Sequence, residues 1–102
     1  MTRTKTALEV AFLRAIMKQL TQMDRDILDS MQKHPLLNIN WIEIGVKKRM
    51  WLRTRKDRFE EQEFKNRLAF LCNCGVLQMI EHDYQATMIG RTVISEVVTP
   101  VL

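Results

Sequence analysis

The sequence predicts a mainly helical chain with one small β-hairpin, an α+β class. Three observations carry this. Apolar residues recur at steps of three and four along five segments. Helix formers dominate, while Gly and Pro number only three and two. One stretch, Val76 to Ala86, instead reads as strand, turn, strand. With 102 residues, 46% of them hydrophobic, there is material for a single domain with one modest core.

The first helix is expected over Thr4 to Leu20. Leu8, Ala11, Phe12, Ala15 and Ile16 form its stripe, and Leu20 extends it. Val10, Leu13 and Met17 widen it, which is more apolar surface than one packing partner needs. Thr21 is the expected N-cap of a second helix, with Asp24 three residues on as its capping-box partner. Ile27, Leu28 and Met31 face the core of that helix. His34-Pro35 ends it, because the residue before a proline avoids helical geometry. Leu36 to Ile39 is short and apolar, a brief strand.

Asn40 is the expected cap of a third helix, Trp41 to Met50. Ile42, Val46 and Met50 face inward, with Trp41 and Gly45 beside them. A glycine inside a helix costs about 1 kcal/mol relative to alanine, so Gly45 marks a close helix contact. A long turn, Trp51 to Arg58, follows. Asp57, with Glu60 at capping-box spacing, opens a fourth helix running to Cys74, with Phe64, Leu68 and Leu71 inward. Gly75 stands where a left-handed C′ residue is wanted. Val76 to Ile80 and Tyr84 to Ala86 are the two strands, joined through Glu81-His82-Asp83. Thr87 caps a last helix holding Ile89, Val93, Ile94 and Val97, and Thr99-Pro100 closes it.

This order of helix, helix, short strand, helix, helix, hairpin, helix resembles the winged helix-turn-helix fold. Three runs sharpen the resemblance. Leu20-Thr21-Gln22-Met23-Asp24-Arg25-Asp26-Ile27-Leu28 looks like the opening of the first core helix in MarR-like and PadR-like regulators. Arg67-Leu68-Ala69-Phe70-Leu71-Cys72-Asn73-Cys74-Gly75-Val76-Leu77 is similar to their run from recognition helix into wing. Tyr84-Gln85-Ala86-Thr87-Met88-Ile89-Gly90-Arg91 looks like their junction between wing and next helix. The resemblance covers roughly residues 20 to 94. It implies a winged core over 21–86, flanked by an N-terminal helix over 1–20 and a C-terminal helix over 87–102. It also implies a DNA-binding transcription regulator, homodimeric through the first helix and an apolar last helix carrying Ile94, Val97, Val98, Val101 and Leu102.

Charge supports the same direction. The formal net charge is +4, but residues 47–58 carry seven basic side chains against one acid, Asp57. The rest of the chain holds nine basic and eleven acidic residues, so the whole excess lies in one segment. Clustering of that kind is the expected footprint of a phosphate-binding surface. Lys47, Lys48, Arg49, Arg53, Arg55, Lys56 and Arg58 are therefore the candidate phosphate contacts, setting affinity and register rather than sequence preference. The same charge argument applies to RNA. Some of these cations are expected to pair with Glu60, Glu61 and Glu63. Trp51, inside the block, is expected to anchor the long turn in the core, with stacking on a base as the alternative.

On the fourth helix, the face opposite Phe64, Leu68 and Leu71 centres on Gln62, Asn66, Ala69 and Asn73, with Lys65 at its edge. Gln and Asn can bond an adenine edge with two hydrogen bonds, and alanine permits close approach. Gln62, Lys65 and Asn66 are thus the candidate base-reading residues; a plain solvated face uses the same residue types. Two features depart from the regulators: the turn before this helix is stretched and cationic, and the helix begins with acids. Glu60, Glu61 and Glu63 suit the helix dipole but repel phosphate. They favour an alternative, a protein-binding adaptor or inhibitor on the same scaffold. The hairpin turn is also acidic, and is given a peripheral role.

No catalytic residue, cofactor or metal site is expected. No Ser-His-acid or Cys-His pairing arises from the spacing, and no glycine loop cradles phosphate. Cys72 and Cys74 stand two apart, which on a helix points them in different directions and excludes a mutual disulfide. They read as free thiols of a reducing compartment. The N-terminal apolar run is interrupted by Glu9, Arg14 and Lys18, unlike a secretory leader. No stretch approaches the ~20 apolar residues of a membrane span, so a cytoplasmic protein with no membrane partner is expected.

Overall fold

The structure is a computed structural model describing residues 6–34 and 36–97. Its elements run α1 (Ala7–Gln19), α2 (Gln22–Ser30), β1 (Leu36–Asn38), α3 (Ile39–Thr54), α4 (Glu61–Asn73), β2 (Leu77–Ile80), β3 (Asp83–Ala86) and α5 (Met88–Val97). This is the expected mainly helical α+β class in winged helix-turn-helix order, with an extra helix at each end. The hairpin gains a third strand: β1 pairs antiparallel with β3, giving the order β1-β3-β2. Ile80 pairs with Asp83, so the wing turn is the two residues Glu81 and His82.

Local chemistry explains most boundaries. Thr6 caps α1 by accepting from the Glu9 N–H at 3.1 Å; the expected start at Thr4 lies outside the described residues. Thr21 and Asp24 form the reciprocal capping box at α2: the Asp24 N–H donates to Thr21 Oγ1 at 3.3 Å, and the Thr21 N–H to Asp24 Oδ2 at 2.8 Å. At the end of α4, Gly75 takes φ +82°. Its N–H donates to the Cys72 carbonyl, and the Val76 N–H to the Leu71 carbonyl, the paired bonds of a Schellman motif. Thr87 caps α5, accepting from the Gly90 N–H at 3.0 Å.

Three boundaries differ from expectation. The cap of α3 is Asn38, which accepts from the Trp41 N–H at 3.1 Å, rather than Asn40. Either asparagine suits the role, and pairing of β1 with β3 places the strand end at Asn38. The same helix continues past Met50 to Thr54, where Arg55 adopts the left-handed conformation at φ 58° and donates its N–H to the Trp51 carbonyl. The turn expected from Trp51 to Arg58 therefore shortens to residues 55–60.

Finally, Asp57 and Glu60 do not form a capping box. Glu60 is the N-cap of α4 without a side-chain bond, while Asp57 accepts from the Phe59 N–H. A hydrophobic staple sets this helix start instead. Phe59, just before the cap, stacks at a tilt on Phe64, with ring centroids 5.3 Å apart.

The core is built from the inward stripes of α2, α3, α4 and α5 with the base of the wing: Ile27, Leu28, Ile42, Val46, Phe64, Leu68, Leu71, Val76, Leu77 and Val93 are all buried. Gly45 lies where α2 and α3 meet; a Cβ there would stand 2.5 Å from Ser30 Oγ. The stripe expected on α1 is mostly not in this core. Ile16 is buried, but Leu8 is 81% exposed and Ala11, Phe12 and Ala15 are exposed too. The helix instead turns Leu13, Ile16 and Leu20 inward. α1 packs on α5, which covers one side of its wide apolar stripe. Val98, Thr99, Pro100, Val101 and Leu102 lie outside the described residues, as does Pro35. No described helix is long and apolar enough to cross a membrane.

Candidate nucleic-acid interface

The helix-turn-helix comprises α3, the loop 55–60 and α4. Its cations divide into two sets, because α2 presents three aspartates to them. Arg53 donates from both terminal nitrogens to Asp26, at 3.0 and 2.8 Å. Arg49 donates from Nε to the Asp29 carboxylate and also reaches the Gly45 carbonyl at 3.0 Å. A third arginine, Arg67 of α4, grips the buried Asp24 through Nε and Nη2, at 2.8 and 2.6 Å. Its guanidinium also lies 4.1 Å from the Phe70 ring centroid. Hydrogen bonding to the aspartates pushes the Arg53 and Arg67 guanidiniums upward from their ordinary range, against a smaller opposing effect of burial. These three bonds tie α3 and α4 to α2. Asp26 is buried beneath the half-exposed Arg53, which balances its charge.

Lys47 and Lys48 are exposed on α3. Lys47 is 3.5 Å from Glu43 and 4.8 Å from the Phe59 ring centroid. It thus fastens the loop to α3 by its apolar stem and charge together. Lys48 projects beside Trp41 and Ile44, away from the loop. Arg55, Lys56 and Arg58 are exposed on the loop and make no ion pair among the described residues. None of the seven cations pairs with Glu60, Glu61 or Glu63, contrary to expectation. The pairing there is Lys65 with Glu61, at 3.2 Å along α4.

On α4, Gln62, Asn66, Ala69 and Asn73 are exposed together. The Gln62 side-chain amide donates to Asn66 Oδ1 at 2.8 Å, leaving the outer donors and acceptors of both amides turned to solvent. Arg58 stands four residues before Gln62, so their Cα atoms are within about 15 Å. The loop cations and the amide face therefore belong to one end of the molecule. That end also holds Asp57, Glu60, Glu61 and Glu63, equal in number to Arg55, Lys56, Arg58 and Lys65. It is a two-signed surface, cationic on the loop and acidic on the first turn of α4.

Trp51 does not anchor the turn in the core. It is 51% exposed, and Phe59 holds the loop instead. Trp41, expected beside the core, is 62% exposed. Sequence reasoning also missed the pairings of Arg49, Arg53 and Arg67 with Asp29, Asp26 and Asp24. No local pattern marks them, since each bond joins residues 20 to 43 positions apart. Among the described residues no group of His, Cys, Asp and Glu could hold a metal ion. No protein-family model, no curated protein and no solved structure matches this chain.

Proposed function

We propose that this chain binds double-stranded DNA as a winged-helix transcription regulator, acting as a homodimer. The observation that carries the reading is the loop cluster Arg55, Lys56 and Arg58, exposed and unpaired among the described residues, leading directly into the amide face of α4. The loop grips phosphates, while Gln62 and Asn66 face base edges with Lys65 beside them. Arg49 and Arg53 hold α3 in place rather than touching DNA, and Lys47 and Lys48 are peripheral. The MarR-like and PadR-like resemblance supports the same role. For the dimer, the support is the exposed apolar face of α1 at Leu8, Ala11, Phe12 and Ala15, beside the α5 packing surface.

The test is affinity for random-sequence duplex as a function of salt. Three phosphate contacts per protomer predict a log–log slope of about −2.7, or about a fortyfold loss between roughly 50 and 200 mM salt. A dimer doubles the slope. Replacing Arg55, Lys56 and Arg58 by glutamine should abolish most of it. Affinity that stays flat with salt, or that the triple variant leaves unchanged, rejects the reading. The same titration with duplex RNA separates the two nucleic acids. Gel filtration of Leu8→Glu/Phe12→Glu tests the dimer, which should give way to monomer.

A second reading, a protein-binding adaptor or inhibitor, is favoured by Glu60, Glu61 and Glu63 exposed at the end of α4 that would enter a groove. Retained partner binding after the triple glutamine substitution distinguishes it.

A further inference from the structure

We propose that the outer face of α3 is a docking surface for an acidic amphipathic helix of another protein. The surface is distinct from the α4 face and meets the loop only at its far end, where Trp51 shares a cavity with Lys56 and Phe59; the inference does not depend on DNA binding.

Trp41, Ile44, Lys48, Trp51 and Leu52 are all exposed. At about 100° per residue they fall within a sector of about 100°, on a strip about 16 Å long. Four of the five are large apolar side chains, held in water by the helix that carries them. Contiguous apolar surface of this kind marks an interaction site. Over the first half of the strip, Trp41, Ile44 and Lys48 form one wall of an open groove of about 540 Å³, faced by Lys33, His34 and Leu37.

The spacing points to a helix as the occupant. Positions 41, 44, 48 and 51 advance by three, four and three, the repeat by which two helices keep one seam in contact. The charge points to an acidic one. Lys48 lies at the centre of the strip and Lys33 on the groove rim, and neither has an ion-pair partner among the described residues. The carboxylates nearby are already engaged, Asp29 by Arg49 and Glu43 by Lys47. A second copy of α3 fits poorly, because the two Lys48 charges would face each other in a parallel pair and lie about 4.5 Å apart along the axis in an antiparallel pair about the middle of the strip. Nucleic acid fits poorly too, because Ile44 and Leu52 would lie against phosphate and gain nothing from it.

The two tryptophans of the chain, Trp41 and Trp51, are both on this strip, so intrinsic fluorescence reports it directly. The probe is a tryptophan-free helical peptide with leucines on one face and glutamates flanking them; its counterpart carries lysines instead. The acidic peptide should give a saturable blue shift, with a Kd at least about tenfold tighter than the lysine peptide. Lys33→Glu/Lys48→Glu should invert that preference. Ile44→Asp should abolish the shift while the circular dichroism spectrum is unchanged. No shift, or equal response to both peptides, overturns the proposal. So does a shift driven by protein concentration alone, which assigns the strip to a second copy, or a shift with random duplex that the acidic peptide does not compete away, which assigns it to nucleic acid.

Discussion

Arg53 lays both terminal nitrogens of its guanidinium on the two carboxylate oxygens of Asp26, at 3.0 and 2.8 Å, joining α3 to α2 across 27 residues of sequence. The bond changes the meaning of the basic segment. What reads along the chain as a block of seven cations is, in space, two arginines committed to α2 and a smaller group of cations facing water. Under the proposed DNA binding, affinity for the polyanion and stability of the fold would draw on different members of the same block.

Removing Arg67 leaves the fully buried Asp24 without its partner and should cost about 3 kcal/mol. Arg53→Ala should cost less, about 1–2 kcal/mol, since Arg53 is 40% exposed and water can approach the vacated carboxylate. Arg58→Ala, at a surface position, should stay within about 0.5 kcal/mol. Urea denaturation measures all three. Equal losses at Arg58 and Arg67 would overturn the division of roles.

Arg55 combines a left-handed backbone with an exposed charge, so its two contributions can be pulled apart. Arg55→Gly relieves a conformation that disfavours a side chain and should stabilise the fold by up to about 1 kcal/mol. Under the proposed DNA binding it would also delete one phosphate contact, reducing the salt slope by about 0.9 per protomer. A higher melting temperature together with weaker duplex binding is the expected pair of results. A melting temperature that falls would show that the Arg55 side chain does structural work.

Gly90 is the least replaceable glycine. A Cβ there would lie 2.0 Å from the carbonyl oxygen of Val76 and 3.3 Å from the Ala86 side chain. The obstacle is backbone held by the Schellman bonds and by Thr87, so it cannot turn aside. Gly90→Ala should cost about 3 kcal/mol or more. Gly75→Ala meets nothing within 4 Å and is penalised only by its positive φ, about 1 kcal/mol. Thermal melts should rank Gly90→Ala well below Gly75→Ala, and the reverse order would contradict this packing.

Alkaline conditions should weaken the fold. Burial pushes the Cys72 thiol above its ordinary 9.0, with the neighbouring Cys74 adding to it. Burial likewise pushes the Tyr84 phenol above 10.0, with Cys72 adding to it. Both groups hold their protons more tightly folded than unfolded. Their contribution is therefore complete below the unfolded values, 9.0 for the thiol and 10.0 for the phenol, and is lost as pH rises above them through the raised folded values. The urea midpoint should fall between about pH 9 and about pH 11, and Cys72→Ser should flatten the lower part of that fall. A midpoint constant across the window contradicts the burial of both groups.

The fold was largely legible in the sequence. Thr21 with Asp24, Gly75 and Thr87 act on backbone groups within a few residues, so their signals are local. The inward stripes of α2 and α4 follow from periodicity alone. Expectation failed where two local solutions compete. Asn38 and Asn40 can each cap α3, and strand pairing chooses between them. At α4, the Phe59–Phe64 stack outweighs the capping box that Asp57 and Glu60 spell out. The candidate site was legible as a composition but not as a surface: Arg55, Lys56 and Arg58 read the same along the chain as Arg49 and Arg53.

The sequence by itself determined that the chain forms five helices with one hairpin, and that its positive charge gathers before the fourth helix. Period, caps and composition are short-range properties, and each acts on the chain nearest to it. The tertiary structure alone decided which arginines are bound, that Trp41 and Trp51 face water, and that α1 leaves Leu8 and Phe12 uncovered. The carboxylates that engage Arg49, Arg53 and Arg67 are 20 to 43 residues away, and a charge's fate depends on what folding brings beside it.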